Sequence, residues 1–223
     1  MYPEDERRPE AELQPDDALS EAARRVLDVA ERLFMEQGYA TVALRDIADA
    51  LGMRQASLYY HFPAGKEQLY VAVVERVFAR HRAGLEAAVQ AAAPDLRDQL
   101  QAVADWFGTQ PPINFLGMMY ADLPALSAEG ARRVARSAFR GVFGPLHEVF
   151  AAAQARGLVR PLHPDLLAGF FIALLDGITF SLTQQSHLPR ATLTREAVRL
   201  MLYGIVSGDE PVPSEQPERF SED

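Results

Sequence analysis

The sequence predicts an all-α protein, and three observations carry that prediction. Alanine, leucine and arginine dominate the chain, a composition that favours helix. Apolar residues recur at i, i+3, i+4 and i+7 through most of its length. No run of alternating β-branched residues marks a strand. Within that class the pattern divides into an acidic tail over 1–19, a helix-turn-helix unit over 20–66, a larger helical unit over 67–207 and a second acidic tail over 208–223. With 223 residues, 48% of them hydrophobic, the chain can bury a substantial core.

Residues 1–19 are rich in Pro, Glu and Asp and hold little to bury, which predicts a disordered leader. The first helix runs from Ser20 to Gln37, with Val26, Ala30, Leu33 and Phe34 as its inner stripe and Gly38 as its stop. A short helix follows, capped by Thr41, in which Leu44, Ile47, Ala48 and Leu51 share one face. Gly52 takes the left-handed conformation that ends it most cheaply. Another short helix begins at about Gln55 and turns Leu58 and Phe62 inward. Arg54, Gln55, Ser57, Tyr59, Tyr60 and His61 are left on or beside its outer face. Two short helices joined by a glycine turn form the helix-turn-helix pattern, whose second helix enters the DNA major groove.

From Lys66 a helix of six or seven turns carries the stripe Leu69, Val73, Val77 and Phe78. Pro94-Asp95 breaks it and starts a helix from Leu96 to Phe107. After the Pro111-Pro112 loop, helices are expected over Phe115–Leu123 and, unbroken, from about Glu129 to Arg156. The segment LLAGFFIALLDGITFSL, 166–182, is apolar nearly all round, so a partner must cover the face its own subunit leaves open. A last helix is expected over about Leu193–Val206.

Charge and motifs narrow the function. The formal charge of −9 looks wrong for a DNA binder. Residues 1–23 hold −6 and residues 208–223 hold −5, which leaves the body 24–207 at +2. The absence of cysteine excludes disulfides, thiolate metal sites and cysteine nucleophiles. His147-Glu148 lacks the second histidine of a zinc helix, and neither a nucleophile elbow nor a phosphate-cradling glycine loop is present. No catalytic residue, metal ligand or cofactor site is therefore expected. The N-terminus has no apolar signal segment, and the longest apolar run, Leu166 to Leu175, falls well short of the roughly 20 residues that cross a bilayer. A cytoplasmic protein with no membrane partner is the expectation.

Residues 24–74 resemble the N-terminal DNA-binding domain of the TetR/AcrR transcriptional regulators, through ERLFMEQGYATVALRDIADALG, then ASLYYHF, then GKEQL. One departure is visible: Pro63, Ala64 and Gly65 make three residues before Lys66 where the family usually has two. The resemblance implies a homodimer that binds a palindromic double-stranded DNA operator, most often as a repressor, and is released by a small apolar or amphipathic effector. It places Thr41 and Arg45 on the DNA face, and Arg54, Gln55, Ala56 and Ser57 at the mouth of the major groove. Tyr59, Tyr60 and His61 match positions that hold phosphates or pack on sugars, and Lys66 matches the phosphate-binding lysine. The last two helices, about 164–206, match the dimer interface.

For an effector pocket the candidate lining is Trp106, Phe107, Phe115, Met118, Met119, Tyr120, Phe139, Phe143, Phe171 and Phe180, with His147 and Asp176 as polar groups and Asp122, Thr179 and Gln184 as further ones. Apolar residues at helical spacing also serve simply as core. A helical binding module that does not act on an operator, or a carboxylate-based enzyme, is the alternative.

Overall fold

The computed structural model describes residues 20–111, 115–183 and 189–204, and every element among them is helical. The two expected acidic tails, Gln184, Ile205 and Val206 lie outside the described residues, as do the side chains of Thr179 and Phe180.

Helix α1, Glu21–Thr41, starts where Ser20 Oγ accepts the Ala23 N–H at 3.2 Å. Gly38, at φ +79°, interrupts it at the expected stop, and one more turn runs on to Thr41. That last turn removes Thr41 as the cap of α2, Leu44–Leu51. Ala43 stands there instead, and its N–H donates to Asp46 Oδ2 at 2.8 Å. Gly52 adopts the left-handed conformation at φ 64°, ψ 31°, and α3, Gln55–His61, follows. Phe34, Ile47, Ala48 and Leu58 fill the space between these helices. At about 25 cal/mol per Å², each large side chain buried there contributes about 1.5–3 kcal/mol.

Helix α4, Lys66–Ala91, is the longest element and runs from these N-terminal helices into the rest of the chain. Arg76 meets Asp28 at 2.6 Å, and Arg80 grips both oxygens of Glu31, bolting α4 to α1. On the other side Glu75 takes two bonds from Arg133, at 2.7 and 2.9 Å. Helix α5, Leu96–Thr109, is capped by Asp95 as expected.

Two expectations fail in the next stretch. Residues 115–125 form no single helix. A turn of α6, Phe115–Gly117, passes into a π turn, Met118–Asp122, and then a 3₁₀ turn, Leu123–Ala125. The expected helix over 129–156 is likewise broken, into α7, Ala128–Ala138, a π turn, Phe139–Phe143, and α8, Gly144–Ala155. Gly141 lies within the second break, and a Cβ there would stand 2.6 Å from the Phe78 carbonyl oxygen. The π turn thus presses backbone against α4.

Helix α9, Pro164–Thr183, buries Leu167, Ala168, Phe171, Ile172 and Ile178. Its other face leaves Leu166 and Phe170 exposed, Phe170 at 53%. Helix α10, Arg190–Tyr203, buries Thr194 and Val198 and exposes Leu200 and Tyr203. None of the helices among the described residues is long and apolar enough to cross a membrane.

Candidate nucleic-acid interface

Helix α3 is held by its inner side alone. Leu58 is buried at 1% exposure, while Arg54, Gln55, Ala56, Tyr59 and Tyr60 are exposed, Tyr60 at 86%. Ser57 and His61 are half-buried at the margins, and the His61 ring meets Tyr60 edge-on at 5.2 Å. Arg54 and Gln55 make no side-chain hydrogen bond among the described residues, so both are free to donate to base edges. Arg45 stands exposed on α2, loosely paired with Asp49 at 3.5 Å, and Thr41 is exposed at the end of α1. The structure therefore sets the predicted groups from Thr41 to His61 on or beside an open surface.

Lys66 is placed differently. Its Nζ lies 4.3 Å above the Tyr39 ring and donates to the Ala40 carbonyl at 3.4 Å. Burial pushes its pKa down, while Asp122 and then Asp46 push the other way. Tyr39 in turn packs on Tyr70 at 4.9 Å, and Tyr70 meets Phe34 edge-on at 5.2 Å. Behind this stack sits Asp122, a buried carboxylate. It accepts the Tyr39 backbone N–H at 3.0 Å and the Tyr70 hydroxyl at 2.8 Å. Burial, followed by the bond to Asp122, raises the Tyr70 pKa far above its usual value. Sequence reasoning placed Asp122 among polar pocket candidates. Its role at the head of α4 depends on the π turn, which carries no local sequence signal.

The candidate effector residues do not gather in one place. Phe115, Met118 and Phe171 are buried in the core, and Trp106, Phe107 and Phe143 pack against it. His81, which sequence reasoning left out, lies among them at 1% exposure. It accepts the Trp106 Nε1–H at 3.3 Å and stacks on Phe107 at 5.3 Å. Burial, and secondarily Arg80, lowers its pKa to about 4. Met119, Tyr120 and Phe139 are exposed. His147 Nδ1 lies 2.6 Å from Asp165 Oδ1, tying α8 to the start of α9, and Asp176 is half-buried on α9. A cleft of about 440 Å³ opens between α4, α5, the second π turn and α8, with Val89, Phe139, Pro145 and Val149 among its apolar lining. Arg82, paired with Glu86 at 2.8 Å, Arg140 and Glu148 supply its charge. Of the predicted pocket residues, Phe139 lines this cleft. No cluster of potential metal ligands occurs among the described residues.

Comparison with known proteins matches residues 26–73 to the model for bacterial regulatory proteins of the tetR family. Over 159 residues the chain is 33% identical to the uncharacterized HTH-type transcriptional regulator MT1294 of Mycobacterium tuberculosis, covering 63% of this chain and 72% of that one. Over 172 residues it is 29% identical to the HTH-type transcriptional repressor ComR of Escherichia coli, covering 74% and 80%. Other curated relatives match over 54 to 72 residues, about a third of their own length. Among solved structures, AibR in complex with isovaleryl coenzyme A and operator DNA superposes with a TM-score of 0.67 at 24% identity, over 82% of this chain and 99% of that one.

Proposed function

The chain belongs to the TetR family of bacterial regulatory proteins, and from that premise we propose that it is a cytoplasmic repressor that reads a palindromic operator as a homodimer and leaves it on binding a small molecule. In this reading residues 20–66 form the DNA-reading head, and residues 67–207 form a body that dimerises and binds the effector. The observation that carries it is the outer face of α3, where Arg54 and Gln55 stand exposed and unbonded above a buried Leu58. Gln offers a paired donor and acceptor to adenine, and Arg grips guanine at two atoms. Arg45, Tyr59, Tyr60, His61 and Lys66 then fix the register on phosphates and sugars.

Dimerisation is supported by the exposed Leu166, Phe170 and Leu200 on α9 and α10, an apolar face that a second copy would cover. Two heads related by a two-fold should meet half-sites about 34–36 Å apart. The cleft beside the second π turn falls within the size range of ligand pockets, about 300–1,000 Å³. Its apolar floor and charged rim suit an amphipathic guest, and isovaleryl coenzyme A, the compound in the AibR complex, is one. An effector displaces the protein from DNA only by as much as it prefers the DNA-incompetent state.

Selection from a randomised duplex library tests the reading. An enriched inverted repeat is the expected result, and mass spectrometry of small molecules retained by the purified protein should reveal an amphipathic ligand that reverses the binding. No enrichment even at low salt would instead favour a helical binding module without an operator.

A further inference from the structure

Lys66 and Asp122 belong to different parts of the chain, yet one tyrosine connects them. Asp122 sits on the π turn of the body and is only 9% exposed. A carboxylate so buried is costly unless hydrogen-bonded, and here both of its oxygens are engaged. Oδ1 takes the N–H of Tyr39, the residue just beyond the break at Gly38. Glycine suits that break because its φ is +79°, a conformation that L side chains rarely adopt. With its backbone held there and its ring packed on Tyr70 and Phe34, Tyr39 is the surface over which the Lys66 ammonium lies. On the body side, Phe115 at the start of the same segment stacks on Phe78 at 6.0 Å and touches Phe107, which packs on His81. Any shift of this segment therefore moves Asp122, and Asp122 holds the seat of Lys66.

We propose that Asp122 is a positioning residue for DNA binding: through Tyr39 it holds Lys66 at the head of α4, so the number of phosphates gripped depends on how the body's π turn sits. This deepens the operator-binding reading and rests on it. Lys66 reaches phosphate from the first turn of a long helix, where the free N–H groups also favour an anion. When the π turn moves, Tyr39 is released and the ammonium loses its fixed place. Arg45 on α2 and Arg54 at the cap of α3, which Asp122 does not touch, keep theirs.

The chain's sole lysine makes a direct test possible. In protein labelled with ¹³C-lysine, the ε-methylene protons of Lys66 should resonate upfield because of the Tyr39 ring current. Tyr39→Leu defines the position without the ring. Asp122→Ala, which removes the acceptor of the Tyr39 N–H, is expected to move the signal most of the way to that position. Should Asp122→Ala fail to fold, Tyr70→Phe, which removes one of the carboxylate's donors, should move it in the same direction by a smaller step. On operator DNA, each lost phosphate contact lowers the salt slope by about 0.9, so Asp122→Ala and Lys66→Ala should each lower it by about 2 per dimer. The double variant should lower it no further. A merely structural role would weaken binding at every salt concentration and leave the slope unchanged. A wild-type ε-methylene shift in Asp122→Ala, or in Tyr70→Phe where that variant stands in, overturns the proposal, as does an unchanged slope. If the wild-type protein binds no duplex, the operator reading fails, and the lysine signal still decides the positioning.

Discussion

The N-terminal helices and the stretch from 115 to 155 are both built of short helical pieces, yet their breaks have opposite origins. Between α2 and α3 the break is a left-handed glycine, Gly52, followed by a short turn. It ends one helix cleanly and leaves the next free to present an outer face. In the body the breaks are π turns: Met118–Asp122 passes into a 3₁₀ turn, and Phe139–Phe143 holds an extra residue between α7 and α8. They rotate the residues that follow and press backbone onto neighbours, as at Gly141 against Phe78. The first kind of break leaves the outer face of α3 exposed. The second produces buried connections, of which Asp122 is the clearest.

The largest expected effect concerns the exposed apolar face of α9. Phe170→Asp should give a monomer by sedimentation and weaken operator binding by about 100-fold or more, since one head loses the linkage to its twin. A monomer that still binds with full affinity would show that the head works alone and break the division of labour between the two regions.

His81 tests the body's interior. It is neutral in the fold, with its pKa lowered from 6.5 to about 4, so the unfolded chain takes up the proton first as pH falls. Stability should therefore decline from pH 6.5 toward 4 by up to about 3 kcal/mol and draw no further loss from this group below that. In urea unfolding, His81→Gln should be less stable at pH 8 and show a shallower dependence on pH across that window. An identical slope would mean that the histidine is already solvated in the fold.

The glycines sharpen the contrast within the body. Gly141→Ala should cost about 1–3 kcal/mol, because its Cβ meets a backbone oxygen that cannot swing aside. On the outer face of α3, Gln55→Ala should lose about 1–3 kcal/mol of discrimination between operator and random duplex with little change in melting temperature. Equal loss on both duplexes would remove Gln55 from the reading surface. The smallest effect is a gain: Gly108→Ala, within α5 and with nothing near its Cβ, should add about 0.5–1 kcal/mol.

What the chain discloses before folding follows the same contrast. Ile47, Leu58 and Gly52 are local signals, spaced by the helix period and by one turn, so α1 to α3 can be read directly from their order. The exposed face of α9 is legible for a similar reason, since LLAGFFIALL has more apolar surface than one subunit can cover. The π turns are not. Met118–Asp122 has neither glycine nor proline, and its bonds run to Tyr39 of α1 and Tyr70 of α4, which are distant in sequence. Asp122 consequently reads as a polar group for an effector pocket, and Lys66 as a phosphate ligand alone, until folding brings Tyr39 between them. Thr41 misleads in the opposite way: it is a good cap by type, but α1 runs on through it and Asp46 does the capping.

The central claim is that two copies of α2–α3, presented by one dimeric body, read DNA. Gel retardation with the DNA upstream of the protein's own gene, at 50 and 200 mM salt and with the complex mass measured, tests it most directly. The expected result is retention that survives excess random competitor, contains an even number of chains per duplex and weakens by about 10³-fold or more over that salt range, as several phosphate contacts require. No retention at 50 mM salt, or a single chain on each duplex, would contradict it.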